Sequence, residues 1–322
     1  MTELNQISAD FNQYLSEKIE VKDPVNLYEP IKYILDLGGK RIRPLLVLLA
    51  ADLFGDNFKK AFPAALAVEV FHNFTLIHDD IMDSALLRRG KSTVHHKWNE
   101  NIGILSGDAM LIQAYSFIEE YPDDIYRKIM KLFNKTAIEV CEGQQYDMDF
   151  EQLQEVSIEQ YLEMIQLKTS VLLASSFEIG AIIGNATDDD RASIYQFGLN
   201  LGLAFQIQDD YLDTFGDEKS FGKKIGGDIL ESKKTFLYLT ALQNLTIEEE
   251  TILKNYYQKS SETNKIKNVT QFFIDKNIPE LAQKSIESYT ELAFTFIEKL
   301  ALSSEKKKIL KDLGINLMNR SV

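Results

Sequence analysis

The sequence predicts an all-α protein, a single large helical bundle spanning residues 1–322. Three observations carry that expectation. Apolar residues recur at spacings of three and four from residue 4 onward, strand-like alternation is nearly absent, and the 16 glycines and 6 prolines punctuate long periodic stretches.

Taken in order, helices are expected at about 4–19, 25–37, 43–54, 58–84, 101–119, 123–150, 157–184, 188–215, 227–242, 247–259, 263–276, 279–300 and 303–317. Phe11, Tyr14 and Leu15 set the stripe of the first; Leu27, Ile31, Ile34 and Leu35 set that of the second, which Gly38 and Gly39 stop. Several helices are apolar around much of their circumference, which marks central members of a bundle. The segment from Phe215 to Gly227 reads as a mobile loop at the mouth of a site. Beyond residue 243, Lys, Glu, Asn and Thr dominate an amphipathic pattern expected of surface helices.

Hydrophobic residues make up 45% and charged residues 26%, ordinary for a globular chain, and the formal net charge is −14. So acidic a balance argues against a nucleic-acid partner. The single cysteine, Cys141, excludes an internal disulfide and fits a reducing compartment. The beginning of the sequence lacks a basic start and an apolar run, so the expected location is the cytoplasm. The longest apolar stretch, Pro44 to Ala51, is far below the ~20 residues that span a bilayer, and no membrane anchor is expected.

Chemistry concentrates in residues 71–93. Asp79 and Asp83 stack one helical turn apart with Asp80 beside them, and no residue within one turn neutralises the three. Oxygen donors so placed suit Mg²⁺, which takes one or two carboxylates and completes its shell with water and phosphate oxygens. Arg88 and Arg89 follow, two guanidinium forks suited to phosphate. The pattern recurs as Asp209, Asp210 and Asp213 after another long apolar segment. Both clusters are expected at helix C-terminal ends, where the dipole disfavours anions. Asp123–Asp124 and Asp188–Asp190 serve as internal controls: they precede apolar runs and read as ordinary first-turn charges.

Together with Gly38-Gly39-Lys40-Arg41-Ile42-Arg43-Pro44, the two clusters resemble the trans-prenyltransferases, the polyprenyl diphosphate synthase family, over about residues 38–237. The resemblance implies an isoprenoid-synthase fold with a deep central cavity, a homodimer, and three Mg²⁺ ions per site. It also implies head-to-tail condensation of isopentenyl diphosphate with an allylic diphosphate.

Position by position, it implies that Asp79, Asp80, Asp83, Asp209, Asp210 and Asp213 serve metal. Lys40, Arg43, His72 and Arg89 match the isopentenyl diphosphate site, Arg88 the allylic diphosphate site, and Lys223 and Lys233 the lysines that close over the allylic diphosphate. Lys224 competes with Lys223. Lys168, Thr169 and Gln206 match positions lining the reacting allyl group, and Gln144 and Asp147 match a motif near the metals.

Phe74 and Phe71 precede Asp79 by five and eight residues, ~7.5 and ~12 Å along a helix axis. With small Thr75 between them and Asp79, they resemble the floor of short-chain enzymes that stop at fifteen or twenty carbons. A terpene cyclase would not require the Gly-Gly-Lys-Arg segment, and a non-catalytic partner subunit tends to lose acids from one cluster. This chain keeps all six acids.

Overall fold

The computed structural model describes residues 2–216, 225–259 and 262–319, and they are almost wholly helical. By its internal contacts the chain divides into two compact units: Met1–Asn134 with Ser175–Arg191, and Lys135–Ala174 with Ala192–Val322.

The first unit opens with α1 (Thr2–Lys18), α2 (Val25–Asp36) and α3 (Ile42–Gly55). Helix α3 is buried from Leu46 to Ala51, as its unbroken apolar run requires. A 3₁₀ turn at Phe58–Ala61 leads into α4 (Phe62–Met82). The single helix expected over 58–84 is broken there because Pro63 sits in the first turn of α4, the position where its missing N–H costs nothing. A two-stranded hairpin follows, β1 (Leu87–Arg88) against β2 (Lys91–Ser92), then α5 (Val94–Lys97) and α6 (Glu100–Ile118). Helix α4 packs on α6 and α3, with Val68, Val70 and Phe71 fully enclosed.

Helix α7 runs Asp123–Gln152, α8 Ile158–Ile165, α9 Val171–Ile183 and α10 Asp188–Phe215. Asp123, Asp124 and Asp188–Asp190 do occupy first turns, and Thr187 Oγ1 accepts from Asp190 N at 3.1 Å. The remaining helices are α11 (Gly227–Leu230), α12 (Phe236–Asn244), α13 (Ile247–Lys259), α14 (Glu262–Asp275), α15 (Ile278–Glu298) and α16 (Ser304–Met318). The second unit has its own core, in which Ile207, Leu237, Leu253, Val269, Phe273 and Ile278 are sealed from solvent.

Two further expected helices are interrupted. The stretch 157–184 contains a π-helical turn, Gln166–Ser170, between α8 and α9. The stretch 227–242 breaks at Ser232, whose φ of 59° no helix accommodates. No helix among the described residues is long and apolar enough to cross a membrane.

Candidate active site

In the first unit, α4 ends as the apolar pattern and following acids suggested. Asp83 N bonds back to Asp79 O at 2.9 Å, and Ser84, at φ 51°, turns the chain out of the helix. Asp79, Asp80 and Asp83 therefore crowd the negative end of the helix dipole. The counter-charge absent from the local sequence arrives from the hairpin. Its turn places Arg89 and Gly90 at φ 53° and 73°, the two positive values a tight β-turn of this kind needs. That reversal carries Arg88 back onto the helix, where its Nε donates to Asp80 Oδ1 at 2.9 Å and its Nη2 lies 3.7 Å from Asp79 Oδ2.

Asp80 is 1% exposed. Burial raises its pKa despite Arg88, and its Oδ2 is buried with no hydrogen-bond partner among the described residues. A buried, uncompensated carboxylate oxygen is the donor chemistry a hard divalent cation takes, so the first cluster fits that group. Among the described residues no three His, Cys, Asp or Glu side chains form a metal cage by themselves. Such an arrangement suits Mg²⁺, which borrows ligands from water and phosphate.

Beside the acids lies a group of cations. Arg89 donates through Nη1 to Gly38 O, and a Cβ on Gly39 would stand 2.8 Å from Arg89 Cζ; only glycine lets the guanidinium lie there. Arg43 Nη1 is 3.3 Å from His72 Nε2. Burial, then Arg43, Arg89 and Arg88, hold the His72 pKa well below its usual value, so the ring is neutral and accepts from Arg43. Lys40, two residues beyond Gly38, is exposed. Arg41 bonds Leu35 O at 2.9 Å and lies 3.9 Å from the buried Glu69.

Behind Asp79, the Phe74 ring is 4.8 Å from the His78 ring and 5.5 Å from that of Phe71, which meets Phe133 at 5.1 Å. Thr75 spends its hydroxyl on His72 O at 2.8 Å.

In the second unit, Asp209, Asp210 and Asp213 fall in the last two turns of α10. Asp210 is occupied by protein donors: Tyr161 Oη donates to it, as does Phe236 N, at 2.9 Å, from the first turn of α12. Burial, then Asp228, pushes its pKa to about 8. Asp213 Oδ2 accepts from Asp228 N at 3.0 Å. Asp209 is half-buried, and Gln206 Nε2 reaches Asp210 Oδ1 at 3.5 Å.

Lys168 and Thr169 lie in the π turn, a feature the helical periodicity did not announce. A Cβ on Gly143 would stand 2.2 Å from Lys168 N, so α7 approaches the turn through that glycine. Lys168 Nζ bonds Asp147 Oδ2 at 2.5 Å. Glycine at 143 was the available signal of this close approach. Lys233 pairs with Glu231 at 2.9 Å, an interaction that raises its pKa against the opposing effect of burial. Lys223 and Lys224 lie outside the described residues.

Residues 24–273 match the family model described as polyprenyl synthetase. A geranylgeranyl diphosphate synthase from Methanosarcina mazei is 41% identical over 75% of both chains. A short chain isoprenyl diphosphate synthase from Methanocaldococcus jannaschii is 37% identical over 96% of both. A crystal structure of a geranylgeranyl pyrophosphate synthase superposes with a TM-score of 0.95 at 49% identity, covering 99% of each chain.

Proposed function

The chain belongs to the polyprenyl synthetase family, and on that premise we propose that it is a prenyltransferase making a short-chain, all-trans prenyl diphosphate. It joins isopentenyl diphosphate head-to-tail to an allylic diphosphate (dimethylallyl, geranyl or farnesyl), giving a product of fifteen or twenty carbons and releasing diphosphate. The observation that carries this reading is the pair of aspartate clusters at the C-terminal ends of α4 and α10, inside the matched region.

We assign Asp79, Asp83 and Asp209 as the principal carboxylates for Mg²⁺, three ions per site, with Asp80 and Asp210 bracing their neighbours. Bound there, Mg²⁺ supplies Lewis-acid stabilisation of charge on the leaving diphosphate. Arg88 and Lys233, with Lys223, hold the allylic diphosphate; Lys40, Arg43, Arg89 and neutral His72 hold isopentenyl diphosphate. As the allylic C–O bond opens, Thr169 and Gln206 offer oxygens to the developing cation, and Lys168 is fixed beside them by Asp147. Phe71 and Phe74 form the apolar floor that excludes water and limits growth. No side-chain base is required, since the released diphosphate can take the final proton. A homodimer is the expected assembly.

Incubating the purified chain with Mg²⁺, labelled isopentenyl diphosphate and each allylic starter in turn, then sizing the products, tests the reading. Fifteen- or twenty-carbon products support it; no product from any starter overturns it.

A further inference from the structure

Lys265, on α14, is 7% exposed, and the hydrogen bonds of its ammonium go to a carbonyl and a hydroxyl rather than to a carboxylate. Burying an ammonium without a counter-ion is unfavourable unless its hydrogens are well used. They are used on one short stretch of chain. Nζ donates to Leu230 O at 3.1 Å and to Ser232 Oγ at 2.6 Å, and lies 5.4 Å from the Tyr257 ring centroid. Leu230 ends α11, and Ser232 is the residue at φ 59°.

The same helix grips the other end of α11. A Cβ on Gly226 would stand 2.9 Å from Ile266, so Ile266 packs directly under that glycine. Between these grips, α11 connects two groups already assigned to chemistry. At its start, Gly226 N and Asp228 N bond Asp213 O and Oδ2, at 2.6 and 3.0 Å. At its end, Lys233 N closes the corner onto Asp228 O at 2.9 Å.

We propose that Lys265 is a positioning residue: by fixing the Leu230–Ser232 corner it holds Lys233 in register with Asp213 and so sets affinity for the allylic diphosphate. This rests on the assignment of Lys233 to that diphosphate. Lys265 itself touches no substrate. A buried lysine bonded to a carbonyl and a hydroxyl stabilises one geometry of the corner, whereas a methionine would fill the same space, remove the donor from Leu230 O and leave the Ser232 hydroxyl only its long bond to Tyr257 O, at 3.5 Å.

Steady-state kinetics of the full chain with Mg²⁺, paired with amide hydrogen exchange, compare wild type, Lys265→Met, Lys265→Arg and Lys233→Ala. Lys265→Met is expected to raise KM for the allylic diphosphate about tenfold, the equivalent of ~1.4 kcal/mol. KM for isopentenyl diphosphate should change by less than about twofold, because a local corner gives no uniform loss of binding. Exchange of the Ser232 and Lys233 amides should accelerate, and Lys265→Arg should recover most of the affinity.

Unchanged exchange at those amides overturns the clamp. Faster exchange with an unchanged allylic KM, while Lys233→Ala raises that KM, overturns the proposal and leaves the reading of Lys233 intact. An equal rise in both KM values also overturns it, in favour of general destabilisation. If Lys233→Ala leaves the allylic KM unchanged, the assignment of Lys233 fails, and this inference falls with it.

Discussion

Arg88 reaches back over the hairpin to donate to Asp80 at 2.9 Å, so the middle acid of the first cluster is held by the protein itself. Asp210 is its counterpart in the second cluster, held by Phe236 N and the Tyr161 hydroxyl. In each triad a protein-bound acid fixes the helix end on which its neighbours project. On the proposed function, Asp80 and Asp210 brace the two helix ends while Asp79, Asp83 and Asp209 are the principal carboxylates for metal.

This division separates two substitutions. Arg88→Ala strands the 1%-exposed Asp80 and should cost about 3 kcal/mol, the usual penalty for removing one partner of a buried pair. Asp83→Ala, at an exposed position, should leave stability within about 0.5 kcal/mol. It should nevertheless lower kcat by about two orders of magnitude, the scale of removing one electrostatic group acting on the leaving charge. Chemical denaturation and kcat, measured side by side, check both. Chelation with EDTA should abolish turnover without lowering Tm, because no protein-only cage exists among the described residues to be lost.

His72 gives a pH prediction. Its folded pKa lies below the unfolded value, so its contribution to stability is present above about pH 6.5 and is lost as pH falls through the unfolded value toward the folded one. Nitrogen-resolved NMR should find a neutral ring with its proton on Nδ1 near neutral pH, as acceptance from Arg43 requires. His72→Gln should flatten the acid limb of the stability profile and retain binding of isopentenyl diphosphate.

Product length should respond to the aromatic stack. Phe74→Ala opens space beneath Asp79 and should lengthen the product by about one or two isoprene units, while costing about 3 kcal/mol as a cavity. Phe71→Ala, one layer lower and tied to Phe133, should lengthen products only when Phe74 is also small. Chromatographic sizing of labelled products checks both variants.

The π turn depends on Gly143. Gly143→Ala would force a methyl to within 2.2 Å of Lys168 N, displacing the turn at a cost of about 1–3 kcal/mol, the usual range for overpacking. Because Lys168 and Thr169 move with the turn, kcat should fall by more than the stability loss explains. Titration with denaturant and single-turnover rates separate the two effects.

The all-α class, the order of the helices, the acid clusters at two helix C-termini and the first-turn acids at Asp123 and Asp188 were legible in the sequence. Each depends on residues within one or two turns of one another, where apolar period and dipole sign suffice. The partners of those residues were not legible. Arg88 meets Asp80 only because residues 89 and 90 both adopt positive φ, and Phe236 caps Asp210 from 26 residues away. The π turn at Gln166–Ser170 belongs to the same class, since nothing in its period breaks and only the approach of α7 through Gly143 accommodates it.

The sequence by itself determined which segments are helical and which carboxylates gather at their ends, because hydrophobic period and local charge act over a few residues. Only the tertiary structure decided which acids the protein keeps for itself, because burial and hydrogen bonding join groups that the chain holds far apart.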